Sequence, residues 1–497
     1  MPSCVFKPLP YIITYLMEST IDKVKTLCLF FIFLTGCSVA VCQDLIIPEP
    51  ALQSAIARSL GVREQDLSKS LVEKNLTRLQ ANDLGIRDLS GLEHAKNLES
   101  LVVRDNLIDD LSPIQKLSKL NNLDLSGNRL KDLSSLVSLP GLSVSSAHST
   151  ANHSALRILN LSRNRLLGLS GIEHFRSLAQ LDVSENSLID LEGVGKLNEL
   201  VNLYAQGNQL GRIESFVDKN RNKEFDPGEP FSDSSGNGKR DVDPLVELKD
   251  LPNLAALHLY NNRIQSVNEL NNLPKLRSLL LAGNLISSPL SLSQFETLNI
   301  LSLGNNRIHD LKGLEKLQSL ERLDLSENQI CDLRLLRDLK NLSVLDLNSN
   351  MLTKLDDLSG LIKVETLGVS RNLIFDPSPV LSLPKLRRLT ISFNQVSFEK
   401  TKIKDLLSQC QARGVYINRR NQIEFRPQVQ SLVRSLIGHA KSNELLGEYL
   451  RKHGYPRLID FFLNQQLKSE EVDKAMVAWE NALKFDKLLG STPFPGK

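Results

Sequence analysis

The chain is poor in several things, and each shortage removes a class of function. Of 497 residues only 5% are aromatic and one is tryptophan. Net charge is +3, and no basic run interleaved with aromatics appears, which argues against a nucleic-acid binder. Six cysteines are present, and four of them, Cys4, Cys28, Cys37 and Cys42, fall within the first 42 residues. Cys331 and Cys410 lie too far apart to make a disulfide framework or a metal-ligand spacing, and read as small core residues. No H-E-x-x-H, G-x-S-x-G, phosphate-binding loop or dinucleotide glycine pattern occurs, and the eight histidines are scattered, so no enzyme is indicated.

Leucine dominates instead. Leu120 to Leu136 reads LNNLDLSGNRLKDLSSL, with Asn128 held among leucines at 120, 123, 125, 130, 133 and 136. The same spacing recurs with a period of 22 residues, which is the leucine-rich repeat pattern L-x-x-L-x-L-x-x-N-x-L. The asparagine falls at Asn106, Asn128, Asn164, Asn186, Asn208, Asn262, Asn284, Asn306, Asn328, Asn350, Asn372 and Asn394, and one earlier unit carries Leu84 there. A loose leucine periodicity would not keep one polar residue in phase over thirteen units. Backbone accounting explains it: the strand must turn there, buried backbone groups need partners, and an inward amide offers both donors and an acceptor. A single unit cannot bury its leucines alone, so the pattern predicts a stacked solenoid. The expected fold is an α/β horseshoe: one short parallel strand per unit, a concave sheet about 60 Å long at ~4.8 Å per strand, and short 3₁₀ turns on the convex side.

The flanks break the rhythm. Residues 1–37 form a leader: Lys23 and Lys25 precede the apolar run LCLFFIFL, far shorter than the ~20 residues of a membrane span but right for a signal h-region. Met17 is an alternative start. Leu34-Thr35-Gly36-Cys37 resembles the lipobox of bacterial lipoproteins; the resemblance implies acylation of Cys37 and a membrane anchor, with Ser38 favouring an outer membrane. The competing reading is cleavage after Ala40, and both export the protein. Leu52, Ile56 and Leu60 then follow helical spacing up to Gly61, with a second short helix near Asp66, so residues 45–74 read as a cap on the first repeat. This stretch and the following LTRLQANDLGIRDLSGLEHAKNLESL resemble the cap and first repeat of internalin-like bacterial leucine-rich repeat proteins. Repeats occupy 75–398, a helix of about 398–413 and a last strand near Val415 and Ile417 fit a closing cap over 399–420, and 427–490 carries amphipathic stripes expected of a small helical bundle.

Two insertions interrupt the period. Residues 140–154 are small and polar; His148 and His153 there lack companion ligands. Residues 213–246 hold the more informative one. Asp218, Asn220, Asn222, Asp226 and Glu229 match the calcium-loop pattern D-x-[DN]-x-[DN]-G-x₅-E, with Glu224 offering its carbonyl and Lys223 standing where glycine is usual. A partial second copy offers Asp233, Ser235, Asn237 and Asp241, or Asp243, but lacks the closing acid. Hard oxygen donors at alternating positions suit calcium, and the tandem resembles the loops of dockerins and thrombospondin type 3 repeats; the alternative is a solvated acidic loop.

Function then falls to the outward residues of the concave strands. Most are small or polar, such as Asp124, Ser126, Asp182, Ser184, Asp324, Ser326, Asp346 and Asn348. One patch differs: Tyr204 and Gln206, His258 and Tyr260, Leu280 and Ala282, on three successive strands beside the second insertion. Exposed tyrosine and apolar clusters mark interfaces. The expected role is protein recognition on a curved scaffold; a structural envelope spacer, or a carbohydrate or peptidoglycan binder, are the alternatives.

Overall fold

The computed structural model describes residues 45–137, 156–211, 217, 219, 229–232, 243–374, 376–392, 394 and 401–419. The leader with Cys37, the 140–154 insertion and the 427–490 region lie outside them.

Among the described residues fourteen parallel strands form one open sheet in strict chain order. They are β1 (Arg78–Gln80), β2 (Ser100–Val102), β3 (Asn122–Asp124), β4 (Ile158–Asn160), β5 (Gln180–Asp182), β6 (Asn202–Tyr204), β7 (Ala256–His258), β8 (Ser278–Leu280), β9 (Ile300–Ser302), β10 (Arg322–Asp324), β11 (Val344–Asp346), β12 (Thr366–Gly368), β13 (Arg388–Thr390) and β14 (Tyr416–Asn418). Neighbours pair in phase, so Leu101, Leu123, Leu159, Leu181 and Leu203 stack at equivalent places. Each of these leucines is buried, as are the residues two on, Val103, Leu125, Leu161, Val183 and Ala205, and together they fill one continuous core. The expected horseshoe is the observed fold. The convex connections are short 3₁₀ turns, such as Ile172–His174, Val194–Lys196 and Leu314–Lys316. Among the described residues four such turns are entered through a glycine at positive φ, Gly91, Gly171, Gly193 and Gly313. At Gly313 a Cβ would also meet the Leu290 backbone at 2.7 Å, so the close stacking of turns requires glycine there.

The asparagine column explains why the turns hold. Asn328 Nδ2 donates to the Leu303, Leu325 and Ser326 carbonyls, at 2.9, 3.1 and 3.0 Å, and its Oδ1 accepts from the Ile308 amide at 3.0 Å. Each asparagine therefore ties its own turn to the preceding unit. The column survives both insertions. Asn164 Oδ1 accepts from Leu130 N, and Asn262 Oδ1 from Leu210 N, although 34 and 52 residues of chain separate the partners. Where the first unit has Leu84, Asn106 Oδ1 accepts from both Leu84 N and Ile86 N.

The ends of the sheet are covered by helices. α1 (Pro50–Leu60) starts with proline in its first turn and stops at Gly61, φ 69°, burying Leu52, Ala55, Ile56 and Ala57 on the first repeat. Glu64–Asp66 is a 3₁₀ turn, and the second helix, α2 (Lys69–Asn75), begins after Ser68, whose hydroxyl accepts from Leu71 N. A short helical turn, α3 (Ser134–Val137), leads toward the first insertion. α4 (Thr401–Ala412) places Leu406 and Cys410 in the core and delivers the chain to β14. Among the described residues no helix is long and apolar enough to cross a membrane.

Candidate functional site: the concave face and the second insertion

Side chains alternate along a strand, so Leu203, Leu257 and Leu279 point into the core while their neighbours face the concavity. Register places Tyr204, His258 and Leu280 side by side on β6, β7 and β8. The residues two positions on align likewise, because Gly207 N donates to Tyr260 O and Asn261 N to Ala282 O. Tyr204, Gln206, His258, Tyr260, Leu280 and Ala282 are all partly exposed and form one surface. The Tyr204 and His258 rings meet edge to face, with centroids 4.9 Å apart and planes at 75°. Burial holds the His258 imidazole below the ordinary histidine range, against a smaller opposite pull from Asp182.

The surface is wider than its sequence signal. Ile300, at an outward position of β9, is more than a third exposed. From β6 to β9, no Asp, Glu, Lys or Arg occupies an outward strand position or the position two beyond each strand. Nothing in the sequence marked Ile300, because its repeat otherwise reads as plain Leu, Ser and Gly; only register with Ser278 brings it beside the patch.

Elsewhere the same outward positions carry a different solution. Asp124 Oδ1 accepts from the Ser126 amide and hydroxyl, Asp182 Oδ1 from those of Ser184, and Asp324 Oδ1 from those of Ser326. Asp346 accepts from the Asn348 amide. These aspartates cap their own strand ends. Asp124, Ser126 and Ser184, expected at the surface, are in fact buried; the Arg104 guanidinium lies 2.7 Å from the Asp124 carboxylate and covers it, and each serine is folded onto the aspartate two residues before it. The centre forgoes this local bonding. Gln206 takes the place of the serine, and its Oε1 is buried with no hydrogen-bond partner.

The second insertion leaves at Gly211 and returns at Asp243. Residues 244–246, expected within it, belong to the repeat: Pro244–Leu248 is a 3₁₀ turn capped by Asp243, with Leu245 and Leu248 in the core. β6 and β7 pair directly, so the insertion is extruded without disturbing the sheet. Of the proposed calcium ligands, Asp218, Asn220, Asn222, Glu224, Asp226, Asp233, Ser235, Asn237 and Asp241 lie outside the described residues. Glu229 is described and buried, its Oε1 accepting from the Lys219 amide at 2.7 Å. Val217 N donates to Pro230 O at 2.8 Å, so the two ends of the first loop are tied together. Among the described residues no cluster of His, Cys, Asp and Glu could hold a metal. Cys331 and Cys410 are free thiols, and burial raises the pKa of both.

A family model for leucine-rich repeats, in two copies, matches residues 296–340 and 318–363. No curated protein matches the chain at a significant level. Among solved structures, an internalin (inlF) from Listeria monocytogenes superposes with a TM-score of 0.55 at 21% identity, covering 79% of this chain and 96% of that one. The LRIM1/APL1C complex gives 0.50 at 18%, covering 83% and 68%. A leucine-rich repeat protein of Leptospira interrogans gives 0.46 at 22%, covering 73% and 98%. At such identities the likeness to the first two is one of fold. The chain is a leucine-rich repeat solenoid, similar in fold to an internalin.

Proposed function

We propose that the protein is an exported binding scaffold that recognises a protein partner on its concave face, centred on Tyr204, Gln206, His258, Tyr260 and Leu280. One observation carries the reading. At the positions where four other strands use a self-bonded aspartate, these three present aromatic and apolar groups and leave the Gln206 Oε1 unpaired. A scaffold that gives up local hydrogen bonding at one place does so for an interaction outside itself. Tyrosine, rigid and amphipathic, suits that role. The lipobox-like LTGC at residues 34–37 supports export and an anchor at Cys37.

The insertion beside this face is proposed to bind calcium. Glu229 stands at the closing position of the pattern, held at the neck of the loop by the Lys219 amide, and the Val217–Pro230 bond brings the two loop ends together. Asp218, Asn220, Asn222, Asp226 and Glu229 would supply oxygens, with the Glu224 carbonyl; the second copy would use Asp233, Ser235, Asn237 and Asp241. The ion would stiffen a loop that frames the patch.

The test is capture of a partner from envelope extract, with and without chelator, on the wild type and on Tyr204→Ala and Tyr260→Ala. Loss of about 2 kcal/mol, some 30-fold, is expected at a hot spot. Unchanged affinity in both variants sinks the concave-face reading. Loss of thermal stability on chelation without any partner would favour a spacer role.

A further inference from the structure

The concave face has a second distinctive feature, two to three strands beyond the aromatic patch. Asp324 and Asp346 are in-register neighbours on β10 and β11. Asp324 receives the Ser302 hydroxyl at 2.8 Å as well as its own Ser326. Among the described residues no cation pairs with either carboxylate, although Arg322 lies on the same strand. Asp124, by contrast, has Arg104. Burial, and then the Asp324 charge, raises the pKa of the Asp346 carboxyl, as expected for negative charge left without compensation.

Between the two features the floor is low. β9 offers Ser302 and, two residues on, Gly304. A Cβ at Gly304 would stand 2.7 Å from the Asp324 carboxylate, so glycine there keeps that carboxylate open toward the patch. The face thus runs from an aromatic wall (Tyr204, His258, Tyr260), over Leu280 and Ala282, across a shallow shelf, to two unpaired acids.

Resting on the concave-face reading above, we infer that the partner docks an extended segment across the strands, with an aromatic or aliphatic side chain on Leu280 and Tyr260 and an arginine or lysine on Asp324 and Asp346. Geometry sets the spacing. From β8 to the middle of β10 and β11 is two and a half strand separations, about 12 Å. Four residues of extended chain span about 13 Å and return the side chain to the same face. The recognised segment therefore carries its apolar anchor and its cation four residues apart. The charge complementarity favours this occupant over an acidic or neutral one, because a partner without a cation would bury two carboxylates unpaired.

The experiment is selection of a displayed library of random 12-residue peptides on the purified full chain. Enriched peptides are then titrated against the wild type, an Asp324→Asn/Asp346→Asn variant and a Tyr204→Ala/Tyr260→Ala variant. The amide keeps the Oδ1 that accepts from Ser326 and Asn348, so the first variant retains its turn bonds, which circular dichroism and the unfolding midpoint verify. The expected result is enrichment of a basic residue four positions from an apolar one, with affinity at least tenfold lower in both variants and falling with added salt. Acidic or uncharged consensus sequences, equal binding to the Asn variant, or no enrichment overturn the inference. Loss in the Tyr variant with full binding to the Asn variant overturns it while leaving concave-face recognition standing; equal binding to all three proteins overturns both.

Discussion

The centre of the concave face, β6 to β8, and its flank, β10 and β11, rest on the same foundation. Under both, leucines stack in phase and an asparagine column stitches the turns, with Asn262 and Asn328 making the same set of bonds. They differ only in the layer above. On the flank, Asp324 and Asp346 bond their own strand ends. In the centre, Tyr204 leans on His258, and Gln206 Oε1 bonds nothing. The lesson is a division of labour. The inward positions determine that the chain stacks, and the outward positions are free to vary because no repeat depends on them for its core.

Four experiments break or sharpen this contrast. The largest effect should fall on what the regions share. Asn262→Ala and Asn328→Ala each strip a buried amide of its acceptor, Leu210 N in one and Ile308 N in the other, so both should lose about 3 kcal/mol in urea unfolding. A loss confined to one would show that the column is not uniform. Next, Tyr204→Asp with Gln206→Ser installs the flank's solution in the centre. The local bond should return about 1 kcal/mol of stability while partner binding is lost. A variant that is both less stable and still binding would refute the contrast.

Two smaller effects depend on pH. The folded state holds His258 below its ordinary pKa of 6.5. Its neutral form is thus favoured by folding, and protonation below pH 6.5 destabilises the protein. Thermal melts at pH 7 and pH 5 should show wild type losing more than His258→Gln. For Asp346 the folded pKa is raised above 3.8, so ionisation costs stability as pH climbs through and beyond that value and costs nothing well below it. Asp346→Asn should therefore gain up to about 0.5 kcal/mol at pH 7, and the gain should vanish near pH 3. A loss at pH 7 would mean that the carboxylate is satisfied in the folded protein.

Much of this was legible along the chain. The phase of Asn106 through Asn394, with Leu84 before them, was enough to number β1 to β13 correctly, even across gaps of 36 and 54 residues, because the amide bonds of each turn reach the unit before it and tolerate any loop between. Tyr204, His258 and Leu280 were recognisable as neighbours for the same reason. Other features were not legible. Ile300 joins the patch only through register. Asp124 reads as a surface acid but lies under Arg104, a residue of the previous unit. Residues 244–246 read as the tail of an insertion, yet they open a 3₁₀ turn of the repeat and Leu245 is a core residue.

The sequence by itself determined the period, the stacking and the inward set, since a 22-residue repeat of leucines and one asparagine has few ways to bury its apolar groups and satisfy its turns. Only the tertiary structure decided which outward groups meet, which carboxylates find a cation, and which buried polar atoms, Gln206 Oε1 and Gln329 Oε1 among the described residues, are left without a partner. Those outcomes depend on side chains from different repeats arriving within a few ångströms of one another, and that distance is a property of the stacked sheet rather than of any one unit.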